Sequence, residues 1–551
     1  MHFFESWRWP TRKLWISQLA FSGSHRSTNV KRTLLIGMTV MTTPMAAWAQ
    51  DCPTVTLDEP GLRLDSPTWS DHENACLLTG EMAEYEGQDG NAYVLRFEIA
   101  LPQDWNGGFV HQFNGGVDGF VAPARGGFNV ADPSQTALSR RYAIVSSDAG
   151  HAIDAHPDQG LQGPTRFGFD ARARANYGHA AVATLDPVAR RIVEAAYGAP
   201  IQHAYGIGRS NGGRHAMVAA ARMPEAFDGL LIGYPGFNLP KAAIQHAWDT
   251  QIFHGLTGDV RTAFTQAELD AVATYILDRC DALDGLEDGM IFDMRACQAV
   301  LGAVTPAELT PQKAEALEKI MDGPRTSLGT ALYSDWYWDA GINSDNWRQW
   351  KLEGTAESLE YMPRIVALGA GSLAQVFSTP PVELGPTAQD MLDYLLAYDF
   401  DHDPTAIATT TDTFPESGLD AMLPPDLDFT DFRAAGGKMI VFHGLSDPVF
   451  SAKDTVNWFR DTPRADSYAR LYLVPNMPHG HSPAAPDDFD LLSALVNWVE
   501  RGTAPGAVLA ATRPDHGEGV SRLLCPYPQI TTYVADDPDR ATSFSCRGSM
   551  Q

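Results

Sequence analysis

The pentapeptide Gly208-Arg209-Ser210-Asn211-Gly212 constrains this chain more than any other stretch. The apolar run 204–207 stops at its first glycine. An Ala-rich, helix-compatible stretch, 213–223, follows and closes at Pro224. Strand, tight turn and helix in that order are what a G-x-S-x-G nucleophile elbow requires. The glycines two before and two after the serine lie where a strained turn packs on neighbouring backbone, so a side chain would clash there. The serine hydroxyl then stands above the end of a sheet, with the next amide and a helix N-terminus beneath it. A Gly-rich strand-to-helix turn also occurs without catalysis, but the flanking strand and helix favour a nucleophile.

The chain on either side of the elbow alternates strand, loop and helix. Residues 94–100 alternate as an edge strand would. Residues 109–113 form the next strand and end at Asn114-Gly115-Gly116-Val117-Asp118-Gly119. Residues 142–147 form another, ending at Asp148-Ala149-Gly150-His151. Apolar residues at helical spacing over 173–197 predict a crossover helix, and 230–234 is one more strand. The pattern implies an α/β fold with a mostly parallel sheet. From about 237 to about 423 there is little strand signal and many aromatics. That is too long for a loop, so 237–423 reads as a second domain inserted into one built from 50–236 and 424–551. Strands return at 438–444 and 470–474, and a closing helix is expected over about 489–501.

Both returning strands end at chemically suitable residues. The first runs into Gly444-Leu445-Ser446-Asp447-Pro448, the second into Pro475-Asn476-Met477-Pro478-His479-Gly480-His481. A serine hydroxyl is a poor nucleophile until an imidazole takes its proton, and the imidazole needs a carboxylate to fix its tautomer and stabilise its charge. Ser210, Asp447 and His479 stand in the order Ser, Asp, His that a nucleophile elbow of this kind uses. His481 is the nearest rival to His479, and Asp454 to Asp447, although Asp454 falls within the helix that follows. The backbone amide of Asn211, with one from Gly115, Gly116 or Val117, is the expected oxyanion hole.

The N-terminus is set apart from this fold. Lys31-Arg32, an apolar run over 33–46 and Ala47-Trp48-Ala49 have the layout of a secretory signal peptide. Residues 1–49 would then be removed, and the first thirty of them suggest an over-extended start. They carry six basic residues and one acid, so the net charge moves from -28 to -33. A surface that acidic repels nucleic acid and anionic membranes, and neither is an expected partner. All six cysteines follow the cleavage site, as suits an exported, periplasmic or secreted protein with disulfides. Sequence allows fifteen connectivities. Pairing neighbours gives Cys52 with Cys76, Cys280 with Cys297 and Cys525 with Cys546.

Several segments together resemble the tannase and feruloyl esterase family of α/β-hydrolases, which also contains enzymes cleaving small terephthalate esters. They are Asp148-Ala149-Gly150-His151, Ser210-Asn211-Gly212-Gly213-Arg214, Pro224-Glu225-Ala226-Phe227-Asp228-Gly229 and Pro425-Asp426-Leu427. Gly436-Gly437-Lys438, His443-Gly444, Asp447-Pro448, Met477-Pro478-His479 and Cys525-Pro526-Tyr527-Pro528 complete the set, in family order. The resemblance implies the α/β-hydrolase fold, hydrolysis of carboxylic esters by Ser210, Asp447 and His479, and a large lid over 237–423. It also implies a structural calcium ion in the lid. The side chains of Asp281, Asp284 and Asp288 and the carbonyls of Leu286 and Met290 would bind it, in a loop closed by Cys280 and Cys297. Calcium takes six to eight such oxygens on a curling backbone. Read without the resemblance, the loop is equally a solvated acidic turn.

One departure stands out. The family commonly joins a cysteine before the nucleophile to one after the histidine; here those positions are Arg209 and Gly480. The expected activity is that of a secreted serine esterase acting on a small-molecule ester of an aromatic acid, of feruloyl or galloyl type. The alternatives are an esterase for polyester-derived aromatic monoesters or hydroxyalkanoate oligomers, and a non-catalytic binding member of the fold. Trp336, Trp338, Trp347 and Trp350 are candidates for a substrate wall.

Overall fold

Among the described residues ten strands form one sheet, and their alternating side chains sort onto two helix-covered faces. The computed structural model describes residues 51–513 and 519–548; the expected signal segment, 1–49, lies outside them. The strands are β1 (Arg63–Leu64), β2 (Thr68–Ser70), β3 (Ala75–Glu86), β4 (Ala92–Pro102), β5 (Gly108–Phe113) and β6 (Ala143–Ser147). They continue with β7 (His203–Arg209), β8 (Gly229–Gly233), β9 (Lys438–Gly444) and β10 (Ala469–Val474). The spatial order is β1-β3-β4-β6-β5-β7-β8-β9-β10, with β2 paired to β3. From β6 to β10 every neighbouring pair is parallel, while β3–β4 and β4–β6 are antiparallel. This is an α/β-hydrolase sheet.

The parallel strands are buried along nearly their whole length, as strands covered on both faces must be. Leu231, Ile440 and Tyr472 pack with Leu492 and Leu495 of the helix Leu491–Arg501 on one face. Leu230, Ile232, Met439 and Val441 pack with Met217 and Ala220 of the helix Asn211–Arg222 on the other. Neighbouring residues thus serve opposite faces, which is the two-residue period of a strand put to use.

The expectation of an edge strand over 94–100 is overturned. β4 pairs with β3 on one side and β6 on the other. β3, twelve residues long, had no counterpart in the sequence reading. Its central Gly80 weakens the strand pattern, and the residue is glycine because a Cβ there would lie 2.5 Å from the Phe97 ring.

Between β8 and β9 the described chain is helical, opening with Leu239–Thr257. Its core gathers Ile244, Phe253, Ile276, Leu317, Ile365, Leu373 and Met391, and extends to Tyr177 and Leu445 of the sheet-bearing part. The described residues form a single compact unit. The expected crossover helix forms in pieces: Ala171–Ala175, a π-turn at Asn176–Ala180, then Ala181–Tyr197. Disulfides join Cys52 to Cys76, Cys280 to Cys297 and Cys525 to Cys546. Among the described residues no helix is long and apolar enough to cross a membrane.

The loops after β9 and β10 are packed backbone to backbone. Leu445 N–H donates to the Val474 carbonyl and Ser446 N–H to the Met477 carbonyl. A Cβ on Gly444 would lie 2.1 Å from the Met477 oxygen. Gly444→Ala is therefore expected to destabilise the protein by about 3 kcal/mol, read from urea unfolding; an unchanged midpoint would contradict this packing.

Candidate active site

Ser210 occupies a backbone conformation that a side chain rarely adopts, φ 61° and ψ -127°, between β7 and the helix Asn211–Arg222. Two glycines permit it. A Cβ on Gly208 would lie 2.1 Å from the Gly212 carbonyl oxygen, and one on Gly212 would lie 2.4 Å from that of Phe113. The strain sits where the hydroxyl must be presented, as at many functional turns.

The loops after β9 and β10 bring the other two residues to it. His479 Nε2 lies 2.8 Å from Ser210 Oγ, and His479 Nδ1 lies 2.8 Å from Asp447 Oδ2. With its proton on Nδ1, the imidazole donates to Asp447 and accepts from the serine hydroxyl. Asp447 is buried, and its Oδ1 accepts from the backbone N–H groups of Val449 (2.7 Å) and Phe450 (3.1 Å). Burial alone would raise the Asp447 carboxyl. The charge His479 carries when protonated and hydrogen bonds from His443 and His479 outweigh it and hold the group well below the usual carboxylate range. The His479 ring is packed edge-on by Tyr234 (4.8 Å), Phe450 (5.3 Å) and Trp350 (5.4 Å between centroids).

The rivals are engaged elsewhere. His481 Nδ1 lies 3.3 Å from Asp487, and Asp454 accepts from Asn238 Nδ2 at 2.8 Å. Of the four tryptophans, Trp350 alone touches His479. Trp336 packs with Tyr333 and Trp347 with Phe253, inside the core.

The loop after β5 is held against the elbow from several sides. A Cβ on Gly115 would lie 3.9 Å from that of Ser210, so this glycine borders the nucleophile. Tyr177 OH donates to the Gly116 carbonyl (3.1 Å), and His151 Nε2 contacts the Val117 carbonyl (2.8 Å). Asp118 accepts from Asn211 Nδ2 (2.8 Å) and contacts His215 Nε2 (3.2 Å), which ties the loop to the elbow helix. Arg214, fully buried, donates to Asn211 Oδ1 and to the carbonyls of Tyr177 and Gly178 in the π-turn. A π-turn breaks the i→i−4 ladder and leaves carbonyls for such a donor. Asp118, Tyr177 and His215 were not legible as site residues, since their partners lie 61 to 97 residues away in sequence.

The acidic loop meets the His479 loop through Gly289, whose carbonyl accepts from Asn476 Nδ2 at 2.6 Å. Asp281 accepts from Gly289 N–H and Asp284 from Leu286 and Phe292 N–H. Asp288 accepts from Met290 N–H and pairs with the buried Arg522. Among the described residues, no three carboxylate, imidazole or thiol groups are gathered closely enough to hold a metal ion. The oxygen donors suit a hard cation in type, with Asp288 committed to Arg522 as the loop stands.

Residues 76–547 match the family described as tannase and feruloyl esterase. The chain belongs to this family. It is 35% identical over 513 residues to the mono(2-hydroxyethyl) terephthalate hydrolase of Piscinibacter sakaiensis, covering 86% of this chain and 84% of that one. It is 26% identical to a probable feruloyl esterase of Arthroderma benhamiae, covering 82% of each. Feruloyl esterase B from Aspergillus oryzae superposes with a TM-score of 0.69 at 20% identity, covering 89% of this chain and 98% of that one. The family is one of carboxylic ester hydrolases. At the two positions where the resemblance implied a cysteine pair, Arg209 lies against Gly233, and Gly480 has φ +144°.

Asp148 anchors the loop after β5 by its carbonyl, which accepts from Gly119 N–H. Burial pushes its carboxyl up to about 7, although N–H groups of Gly150 and Arg96 and the Arg96 charge pull it down. The folded state therefore holds this proton between about pH 4 and 7 while the unfolded chain has lost it. The stability is present below the unfolded value and is lost as pH rises through the folded one. The stability difference between wild type and Asp148→Asn is expected to fall by about 2–4 kcal/mol from pH 4 to 8, measured by urea unfolding. A difference that does not vary with pH would contradict the burial of a neutral acid here.

Proposed function

We propose that this chain is an exported serine esterase that hydrolyses an ester of an aromatic acid through an acyl-enzyme. The observation that carries the reading is the pair of 2.8 Å contacts linking Ser210, His479 and Asp447. Ser210 Oγ attacks the ester carbonyl carbon as its proton passes to His479 Nε2. Asp447 holds the imidazole by Nδ1 and stabilises the charge it gains. The oxyanion is met by the amide of Asn211 and one from the Gly115–Gly116–Val117 loop. His479 returns the proton to the leaving alcohol, water repeats the sequence, and the acid departs. The three disulfides support export, since such bonds persist in oxidising compartments. The helical segment between β8 and β9, which supplies Trp350, acts as the lid.

Within this class, a monoester bearing a free carboxylate is favoured over feruloyl and galloyl esters by one contact. The Arg364 guanidinium lies 5.3 Å from the Trp350 ring centroid, and Trp350 in turn packs on His479. Arg364 is half-buried and contacts Gln349 Oε1 at only 3.5 Å. A guanidinium beside an aromatic wall suits an aromatic ring with an acid group. The terephthalate monoester hydrolase among the relatives agrees with this choice.

Ser210→Ala is expected to lower kcat at least about a thousandfold on every cleaved ester; activity surviving that change would sink the mechanism. Across p-nitrophenyl, feruloyl, galloyl and terephthalate monoesters, the terephthalate type should have the highest kcat/KM. Arg364→Ala should raise KM for that type alone. A feruloyl or galloyl preference insensitive to Arg364 would return the reading to the plant-ester substrates.

Calcium in the Cys280–Cys297 loop belongs to the same reading. The carboxylates of Asp281 and Asp284 and the carbonyls of Leu286 and Met290 would hold it, with Asp288 shared with Arg522. Its service would be structural, to neutralise an acidic loop that touches none of the three reacting side chains. EDTA should lower Tm by several degrees, and about one calcium per chain should be recovered from untreated protein. An unchanged Tm together with no recovered calcium would remove the ion from the account.

A further inference from the structure

A cavity of about 540 Å³ lies beside Tyr337 and Tyr527, but its lysine and one of its arginines are already paired, Lys453 with Asp335 and Arg460 with Asp461. Its lining names no ligand. A different feature says more about the reaction. Asp339 belongs to the helical segment between β8 and β9, yet its carboxylate is buried against the two loops that carry Asp447 and His479.

One oxygen does the linking. Asp339 Oδ2 accepts from Ser446 Oγ and from the Asn476 backbone N–H at 2.9 Å, and Gly341 N–H lies 3.5 Å away. Ser446 directly precedes Asp447, and Asn476 stands three residues before His479. The segment could not come closer. A Cβ on Gly341 would lie 2.5 Å from Ser446 Oγ and 2.9 Å from the Asn476 carbonyl oxygen. Asn476 is held from a second side, its Nδ2 donating to the Gly289 (2.6 Å) and Ala484 (3.2 Å) carbonyls. Asp339 Oδ1, in contrast, is buried with no hydrogen-bond partner among the described residues.

We infer that Asp339 is a positioning residue: a single carboxylate oxygen of the inserted segment sets the spacing between the Asp447 and His479 loops. This rests on the proposed Ser210–His479–Asp447 mechanism. Asp339 touches none of those three residues, so it acts through Ser446 and Asn476. The orphaned Oδ1 implies that one acceptor suffices and that the second oxygen is dispensable. A carboxamide in its place keeps the acceptor and puts an NH2 where Oδ1 now lies. An aliphatic side chain of the same size leaves Ser446 and Asn476 with buried, unmatched donors. Misplacing reacting groups by about 1 Å costs on the order of a hundredfold in rate.

The test uses the full-length protein and three variants, Asp339→Leu, Asp339→Asn and Ser446→Ala. It reads kcat and KM on the best ester, the rate at which a fluorophosphonate labels Ser210, and the low-field proton signal of the His479–Asp447 hydrogen bond. Asp339→Leu should lower kcat and the labelling rate roughly ten- to a hundredfold with KM within about twofold, and should shift or broaden the proton signal. Asp339→Asn should recover kcat to within about threefold. Ser446→Ala should lower kcat about threefold to tenfold, and it carries the test if Asp339→Leu does not fold. Wild-type protein that is not labelled at Ser210 would defeat the mechanism itself. Wild-type protein that is labelled, with Ser446→Ala labelled equally fast and an unmoved proton signal, would overturn the role of Asp339 alone. So would an Asp339→Asn variant as slow as Asp339→Leu.

Discussion

Most of this molecule follows from how closely backbone is packed at the top of the sheet. The elbow works because Gly208 and Gly212 let β7, the helix after it and the end of β5 approach without intervening side chains. With that contact made, Ser210 sits at φ 61°, and its hydroxyl bonds His479 and not the helix N-terminus. The same device recurs one layer across, where Gly444 meets the Met477 carbonyl and brings the β9 and β10 loops together. Each glycine replaces a side chain's thickness with direct backbone contact, and the serine, imidazole and carboxylate meet because three loops have been drawn in by that amount.

The inserted segment is part of this packing and does more than cover it. Trp350 supports the His479 ring from one side, while Asp339 reaches beneath to the two loop bases. The elbow's other flank is secured from the sheet side, through Arg214, Tyr177, His151 and Asp118. Ser210 is therefore braced by the hydrolase framework, and His479 and Asp447 mainly by their own loops and the insertion. Under the proposed mechanism, substrate contacts made by the insertion would bear on the histidine and the carboxylate separately from the nucleophile.

Legibility in the sequence followed the range of the interactions involved. The strands 109–113, 204–207, 230–234 and 438–444 are buried on both faces, so local composition identified them, and the elbow glycines announced a turn. Ser210, Asp447 and His479 stood out as candidates because each follows a strand end, and the structure brings them within hydrogen-bond reach of one another. β3 escaped because Gly80 interrupts its pattern for the sake of Phe97, a residue on the partner strand. β4 was read as an edge for the same reason, its β3 neighbour being unseen. Asp339 resembled any acid in an irregular segment, because its partners lie 107 and 137 residues away. The tryptophans divide: Trp336 and Trp347 are buried in the core and Trp338 packs against it, while contact with His479 separates Trp350 from the rest.

Gly480 carries a consequence for the history of the site. The family resemblance places a cysteine pair at 209 and 480, and this chain has arginine and glycine. At φ +144° the peptide after His479 follows a path that an L side chain resists. Returning cysteine to both positions would thus require the main chain to turn beside the histidine before sulfur could meet sulfur. A cysteine pair and the present backbone path after His479 therefore exclude one another unless strain is accepted.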